Sequence, residues 1–150
     1  MTNQLLNLTD IDFPKGIDRL SNLDILQGKP IPKIERLRIM SDGQFEEFIL
    51  EWAHGYLKDQ KGEYKKVLKL GGAGDKGRDI ICFVDDGRSI CDYYQCKHYT
   101  AAITPGDIIV EIGKLSYLVF DKKILFPRKY YFVSPQGVGP ALHDLLQDSN

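Results

Sequence analysis

Apolar residues recur with helical spacing from Phe45 onward: Phe45, Phe48, Ile49, Trp52, Ala53 and Tyr56 share one face of a 3.6-residue period. Ser41 and Gln44 stand just ahead of them with capping-box spacing, so a helix is predicted to start there. Glu47, Glu51 and His54 fall on the opposite side. Glu46, about 100° around from Phe45, borders the buried stripe and is the better candidate to look into a cleft. A strand is predicted over Tyr64 to Leu70 and another over Arg78 to Val84. In the second, Asp79, Ile81 and Phe83 share one face, while Ile80, Cys82 and Val84 take the other. The Asp-Gly inside Val84-Asp85-Asp86-Gly87-Arg88 signals a hairpin, which makes the strand holding Tyr93 to Lys97 its antiparallel neighbour. Thr104-Pro105-Gly106-Asp107 combines an N-cap, a proline at the first helical position and an acid three residues after the cap. Ile108, Ile112, Leu115 and Val119 continue that helix on one face, Tyr130 to Val133 reads as a buried strand, and Pro140 to Leu146 as a last helix. The order is helix, three strands, helix, strand, helix.

Residues 1–40 carry apolar patches without sustained periodicity, with an extended Lys29-Pro30-Ile31-Pro32, and are expected to form an accessory segment ahead of a domain over 41–150. A chain of 150 residues with 43% hydrophobic and 27% charged residues has the composition of one ordinary globular domain. It contains no apolar run of membrane-spanning length and no leader-like N-terminus, so a cytoplasmic protein with no membrane partner is expected. Cys82, Cys91 and Cys96 match no zinc spacing and read as buried free thiols. The net charge of -1 argues against a large nonspecific nucleic-acid binder. Even so, Lys61, Lys65, Lys66, Lys69, Lys76 and Arg78 cluster before the second strand, with Lys97, His98 and Lys114 able to join them. A solvated face is the simpler reading of such a run. Of the histidines, His54 and His143 carry no chemistry in this reading, and His98 at most adds charge near phosphate.

The chemistry concentrates where Gly71-Gly72-Ala73-Gly74-Asp75-Lys76-Gly77-Arg78-Asp79 is followed by Gln95-Cys96-Lys97. Gly72 to Gly77 matches Gly-x-Gly-x-x-Gly literally, but a dinucleotide fingerprint needs a helix after the loop. Ile80, Ile81, Phe83 and Val84 signal a strand instead, which removes that reading. In a hairpin ladder without a bulge, Asp79 at the start of one strand lies beside Gln95 and Lys97 at the end of the next, all on one face. A carboxylate and a carbonyl-bearing side chain suit Mg²⁺, which acidifies water and stabilises charge on a phosphodiester under attack. Lys97 would orient that water or neutralise phosphate charge.

These residues resemble the PD-(D/E)XK nuclease superfamily, and within it the Mrr-like restriction endonuclease catalytic domain. Gly72 through Asp79 is similar to its Gly-x-Gly-Asp-x-Gly-x-Asp, Gln95-Cys96-Lys97 to its Gln-Cys-Lys, and Phe45-Glu46 to the Phe-Glu of its first helix. The resemblance covers about Ser41 to Val133 and implies an α/β fold with a restriction-endonuclease-like αβββαβ core, a mixed central sheet flanked by helices. It implies Asp79 as principal metal ligand, Gln95 as a second through its amide oxygen, the Cys96 backbone carbonyl as a third, Lys97 as the catalytic lysine and Glu46 as a supporting acid near the metal. Lys76, Arg78, Lys69 and His98 would face DNA. Arg78 stands where the superfamily name has proline, a replacement common in the Mrr-like pattern. Gln95 stands in place of a carboxylate, which removes a negative charge. The implied activity is Mg²⁺-dependent DNA endonuclease, with Mn²⁺ as substitute, in bacterial restriction or antiviral defence. A homodimer or a separate recognition module would supply target choice. Two alternatives stay open: a catalytically inactive nuclease-fold module for DNA binding or assembly, and a structure-selective junction or RNA nuclease.

Overall fold

The computed structural model describes residues 28, 31–70 and 78–147. Most of the N-terminal segment and the glycine loop at 71–77, Lys76 included, lie outside the described residues. The chain divides into two compact units, Met1–Arg36 and Leu37–Asn150, and the sheet belongs entirely to the second. A short helix, α1 (Lys33–Arg38), bridges the two in sequence.

Helix α2 (Asp42–Glu51) starts at the predicted capping box: the Gln44 N–H donates to Ser41 Oγ and the Ser41 N–H to Gln44 Oε1, at 3.3 and 2.8 Å. It runs on without a break into a π-helical stretch, Trp52–Gln60. The buried positions along both are Phe45, Ile49, Ala53 and Leu57, a strict four-residue spacing. On an α-helix such spacing drifts by about 40° per step. The wider π turn, whose backbone bonds span five residues instead of four, takes up that drift and keeps Leu57 on the sheet. This corrects the expected stripe, since Phe48, Trp52 and Tyr56 are left part-exposed along its border.

Strands β1 (Lys66–Lys69), β2 (Ile80–Phe83), β3 (Cys91–Cys96) and β4 (Lys129–Val133) form one mixed sheet in the order β1-β2-β3-β4. The first three are antiparallel and β4 is parallel to β3. A parallel pair needs a crossover, and α3 (Pro105–Phe120) supplies it from the predicted Thr104–Asp107 capping box. The last helix, α4 (Pro140–Gln147), buries Leu142. The described residues thus form a mixed α/β fold with four helices and a four-stranded sheet.

Strand alternation divides the core in two. Ile80, Cys82 and Tyr94 pack with Val67 against Phe45, Ile49, Ala53 and Leu57, while Ile81, Phe83, Cys91 and Tyr93 pack with Leu68, Leu115 and Tyr130 on the other face. Asp92, fully buried on central β3, is held by Arg128 from Nε and Nη2 at 2.9 and 2.5 Å and by the Tyr64 hydroxyl at 2.8 Å. Tyr64 and Tyr94 hydroxyls lie 2.9 Å apart, and burial pushes both phenols up.

Two local expectations change. The hairpin between β2 and β3 exists, but its left-handed residue is Arg88, at φ 55°. Its loop is organised by Asp85, whose carboxylate accepts from the Ser89 and Ile90 N–H groups. At Gly87 a Cβ would lie 3.1 Å from Asp85 Oδ2, a tight contact with the carboxylate that organises the loop. On α3, Ile112 faces solvent, and the fully inward position is Glu111.

Candidate active site

Asp79, Gln95 and Lys97 collect at the end of the β2–β3 ladder, while Glu46 stands on α2 beside Lys69 of β1, and the ladder does not end as a regular one would. Its last pair is Ile80↔Tyr94, so regular pairing would next set Asp79 against Gln95. Instead the Asp79 N–H donates to the Tyr94 carbonyl at 3.0 Å, one residue out of step, while the Asp79 carbonyl still accepts from Leu70 on the β1 side at 2.8 Å. This is a bulge, and a bulge re-aims the side chain it carries. The Asp79 carboxylate turns to the Cys96 N–H and accepts from it at 2.5 Å, occupying the place of a backbone acceptor. The regular face-sharing expected of Asp79 with Gln95 and Lys97 is therefore corrected: the carboxylate reaches the β3 backbone between them.

The Cys96 thiol faces the α2 side of the sheet. Burial, then the charges of Asp79 and Glu46, push it up to about 12 against the opposing Lys69. Glu46 also lies 3.4 Å from Lys69 Nζ, whose shorter bond, 2.5 Å, goes to Glu47.

Gln95 and Lys97 share the α3 side, as strand parity requires. Gln95 is buried, and its Oε1 accepts from the Tyr130 hydroxyl at 2.6 Å. Lys97 is buried too, with its ammonium 2.9 Å from Glu111 Oε1 and 5.6 Å from the Tyr99 ring centroid. Burial alone would lower the Lys97 pKa, but the Glu111 carboxylate and the Tyr99 hydroxyl together outweigh it and hold the amine above its ordinary value. Burial would likewise raise Glu111; Lys97, Lys114 at 3.2 Å and the nearby Gln95 amide hold it below the usual carboxylate range. Oε2 of Glu111 is buried and accepts no hydrogen bond.

Glu111, with Tyr130, is what sequence reasoning missed. The signal was present: Glu111 lies three residues after Ile108 and four before Leu115, inside an inward stripe where a lone charge needs a buried partner.

The cations expected to meet DNA are occupied within the fold. Lys69 pairs with Glu46 and Glu47. Arg78 is buried with its guanidinium 5.2 Å from the Tyr93 ring centroid. His98 donates from Nε2 to the Leu37 carbonyl at 2.8 Å, sets Nδ1 3.3 Å from Asp42, and packs on Phe45. Lys76 lies outside the described residues.

Among the described residues, no three His, Cys, Asp or Glu side chains converge as a metal-binding group. The oxygen donors nonetheless match what Mg²⁺ takes. Asp79 reaches the Cys96 N–H, Glu46 lies by Lys69 at the end of β1, and Gln95 Oε1, bonded to one hydroxyl, keeps a second lone pair. On an extended strand the carbonyl and N–H of one residue leave by the same edge, so the Cys96 carbonyl is directed to the edge where Asp79 receives its N–H. In comparisons with protein-family models, curated proteins and solved structures, nothing matches the chain.

Proposed function

We propose that this chain is a metal-dependent endonuclease domain with a restriction-endonuclease-like core, hydrolysing phosphodiester bonds of DNA. The observation that carries the reading is the ladder end, where a bulge aims Asp79 at the Cys96 peptide and the residues flanking that peptide are Gln95 and a buried, charged Lys97. The helix, three strands, helix, strand order and the mixed sheet support it. Asp79, Gln95 and the Cys96 carbonyl would hold Mg²⁺ or Mn²⁺, with Glu46 on the α2 side of the sheet as a supporting acid. When bound, the ion would supply Lewis acidity and a more acidic water. Lys97 stays protonated through Glu111 and offers positive charge to a phosphate oxygen; Tyr130 orients the Gln95 amide; Asp79 holds the end of β3 in place. Bacterial restriction or antiviral defence, in the cytoplasm, is the setting proposed with this activity.

The test incubates plasmid DNA with the protein and Mg²⁺, Mn²⁺ or chelator, beside Asp79→Asn, Lys97→Ala and Glu111→Gln. Metal-dependent cutting should fall about 100-fold or more for the first two. Cutting that survives both at full rate would sink the site. A second reading, a catalytically silent binding or assembly module, is favoured by the engagement of Lys97, Lys69, Arg78 and His98 within the fold. Salt-sensitive DNA binding without cleavage under any metal would select it.

A further inference from the structure

Among the described residues, Glu111 Oε2 is the one buried side-chain oxygen or nitrogen that no hydrogen bond reaches. The residue is more than nine-tenths buried, and the cations that neutralise it gather on its other oxygen: Lys97 Nζ lies 2.9 Å and Lys114 Nζ 3.2 Å from Oε1. A partner for Lys97 needs only that oxygen. Leaving the second one bare costs about 1–3 kcal/mol, a cost that pairing with Lys97 does not explain.

The position of Oε2 gives it a use. Gln95 shares the α3 side of the sheet with Lys97, roughly 7 Å along the same strand, and its amide is a neighbour of Glu111. Gln95 Oε1 accepts from the Tyr130 hydroxyl at 2.6 Å and keeps a second lone pair. Two hard oxygen donors, one from β3 and one from α3, therefore stand on one side of the sheet. An oxygen closed to water remains open to an ion: Mg²⁺ bonds oxygen at about 2.0–2.1 Å, where a hydrogen-bonded water stands about 2.7–2.8 Å away. Charge points the same way. Asp79 supplies the single negative charge of the donor set proposed above, against a divalent cation with the Lys97 ammonium close by. Glu111 raises that to two, within the one or two carboxylates that Mg²⁺ sites use. From these observations we infer that Glu111 is a direct ligand of the metal ion through Oε2, with Oε1 kept on Lys97. The inference rests on the metal-dependent reading and adds to it a carboxylate from α3, so that one side chain sets the ion and the charged amine in fixed relation.

The test is calorimetric titration of the full chain with Mn²⁺ in the absence of DNA, which reads binding apart from cleavage, with circular dichroism as the fold control. The wild type is expected to bind the ion, and Glu111→Gln to raise the dissociation constant about 100-fold or more, past the about 10–100-fold that a residue merely orienting a ligand is worth. A double-mutant cycle separates a ligand from a partner of the lysine. If Glu111 only neutralised Lys97, Glu111→Gln would cost nothing once Lys97→Met has removed the amine; as a ligand it should cost about 100-fold there too. Moving the carboxylate onto the strand, by Gln95→Glu together with Glu111→Gln, should recover most of the affinity. Binding that Asp79→Asn abolishes while Glu111→Gln leaves it unchanged overturns the inference and spares the metal site, as does a Glu111 effect that disappears with Lys97. A wild type that takes up no Mn²⁺ overturns both.

Discussion

Two carboxylates are buried on elements that face each other across this fold, Asp92 on β3 and Glu111 on α3, at 0% and 7% exposure. Asp92 is satisfied on both oxygens, by a two-pronged arginine and a tyrosine hydroxyl. Glu111 has one oxygen crowded by two lysines and the other with no hydrogen bond. An unpaired buried polar group costs about 1–3 kcal/mol, so equal burial conceals unequal solvation. Completeness marks Asp92 as a fastener between strands. The open valence of Glu111, beside the lysine it keeps charged, marks a place where stability is given up next to the proposed chemistry.

Substitutions can break or sharpen that contrast, and urea denaturation reads each of them. Asp92→Ala should cost about 3 kcal/mol, at the lower end for breaking a buried ion pair because Arg128 can turn to water; a loss below about 1 kcal/mol would erase the contrast. Glu111→Gln should cost less, about 1–2 kcal/mol at neutral pH, and its loss should depend on pH. Glu111 has its folded pKa lowered from 4.5, so its contribution is complete above that value and vanishes as pH falls through the folded one. Lys97 has its folded pKa raised from 10.5, so its contribution is complete below that value and is lost as pH rises through the folded one. The stability difference between wild type and Glu111→Gln should therefore stay level from about pH 5 to 10 and shrink towards acid. A difference that ignores acid would detach the carboxylate from the lysine. Tyr64→Phe should cost about 1 kcal/mol, one hydrogen bond of the three on Asp92. Lys114→Ala, on the exposed flank of Glu111, should move the transition by at most about 0.5 kcal/mol.

How much of this was legible in the sequence follows from the range of each determinant. The starts of α2 and α3 were readable because Ser41–Gln44 and Thr104–Asp107 close their own hydrogen bonds within three residues. The hairpin was readable from its turn residues, although Asp85 and Arg88 do the work assigned to Asp-Gly. The face shared by Gln95 and Lys97 followed from parity alone. What escaped depends on contacts between distant segments. The bulge arises because Asp79 keeps step with Leu70 while slipping against Tyr94, and a period of two cannot register that. The π turn is imposed by the need to seat Leu57 on the sheet. Glu111 hid behind an apolar periodicity that favoured Ile112, although its place between Ile108 and Leu115 marked it as a lone charge on the inward stripe.

The bulged carboxylate has a last consequence, in the currency of tolerated substitutions. Asp79 stands in for a missing peptide carbonyl at the edge of β3 and, under the proposed activity, also ligates a cation. Asparagine keeps the acceptor and forfeits the charge; glutamate keeps the charge and overreaches by a methylene; alanine leaves the Cys96 amide without its acceptor. Two duties drawn from one short side chain leave a vocabulary of one letter, so this position should be the narrowest in the chain, more restrictive than the lysine beside it.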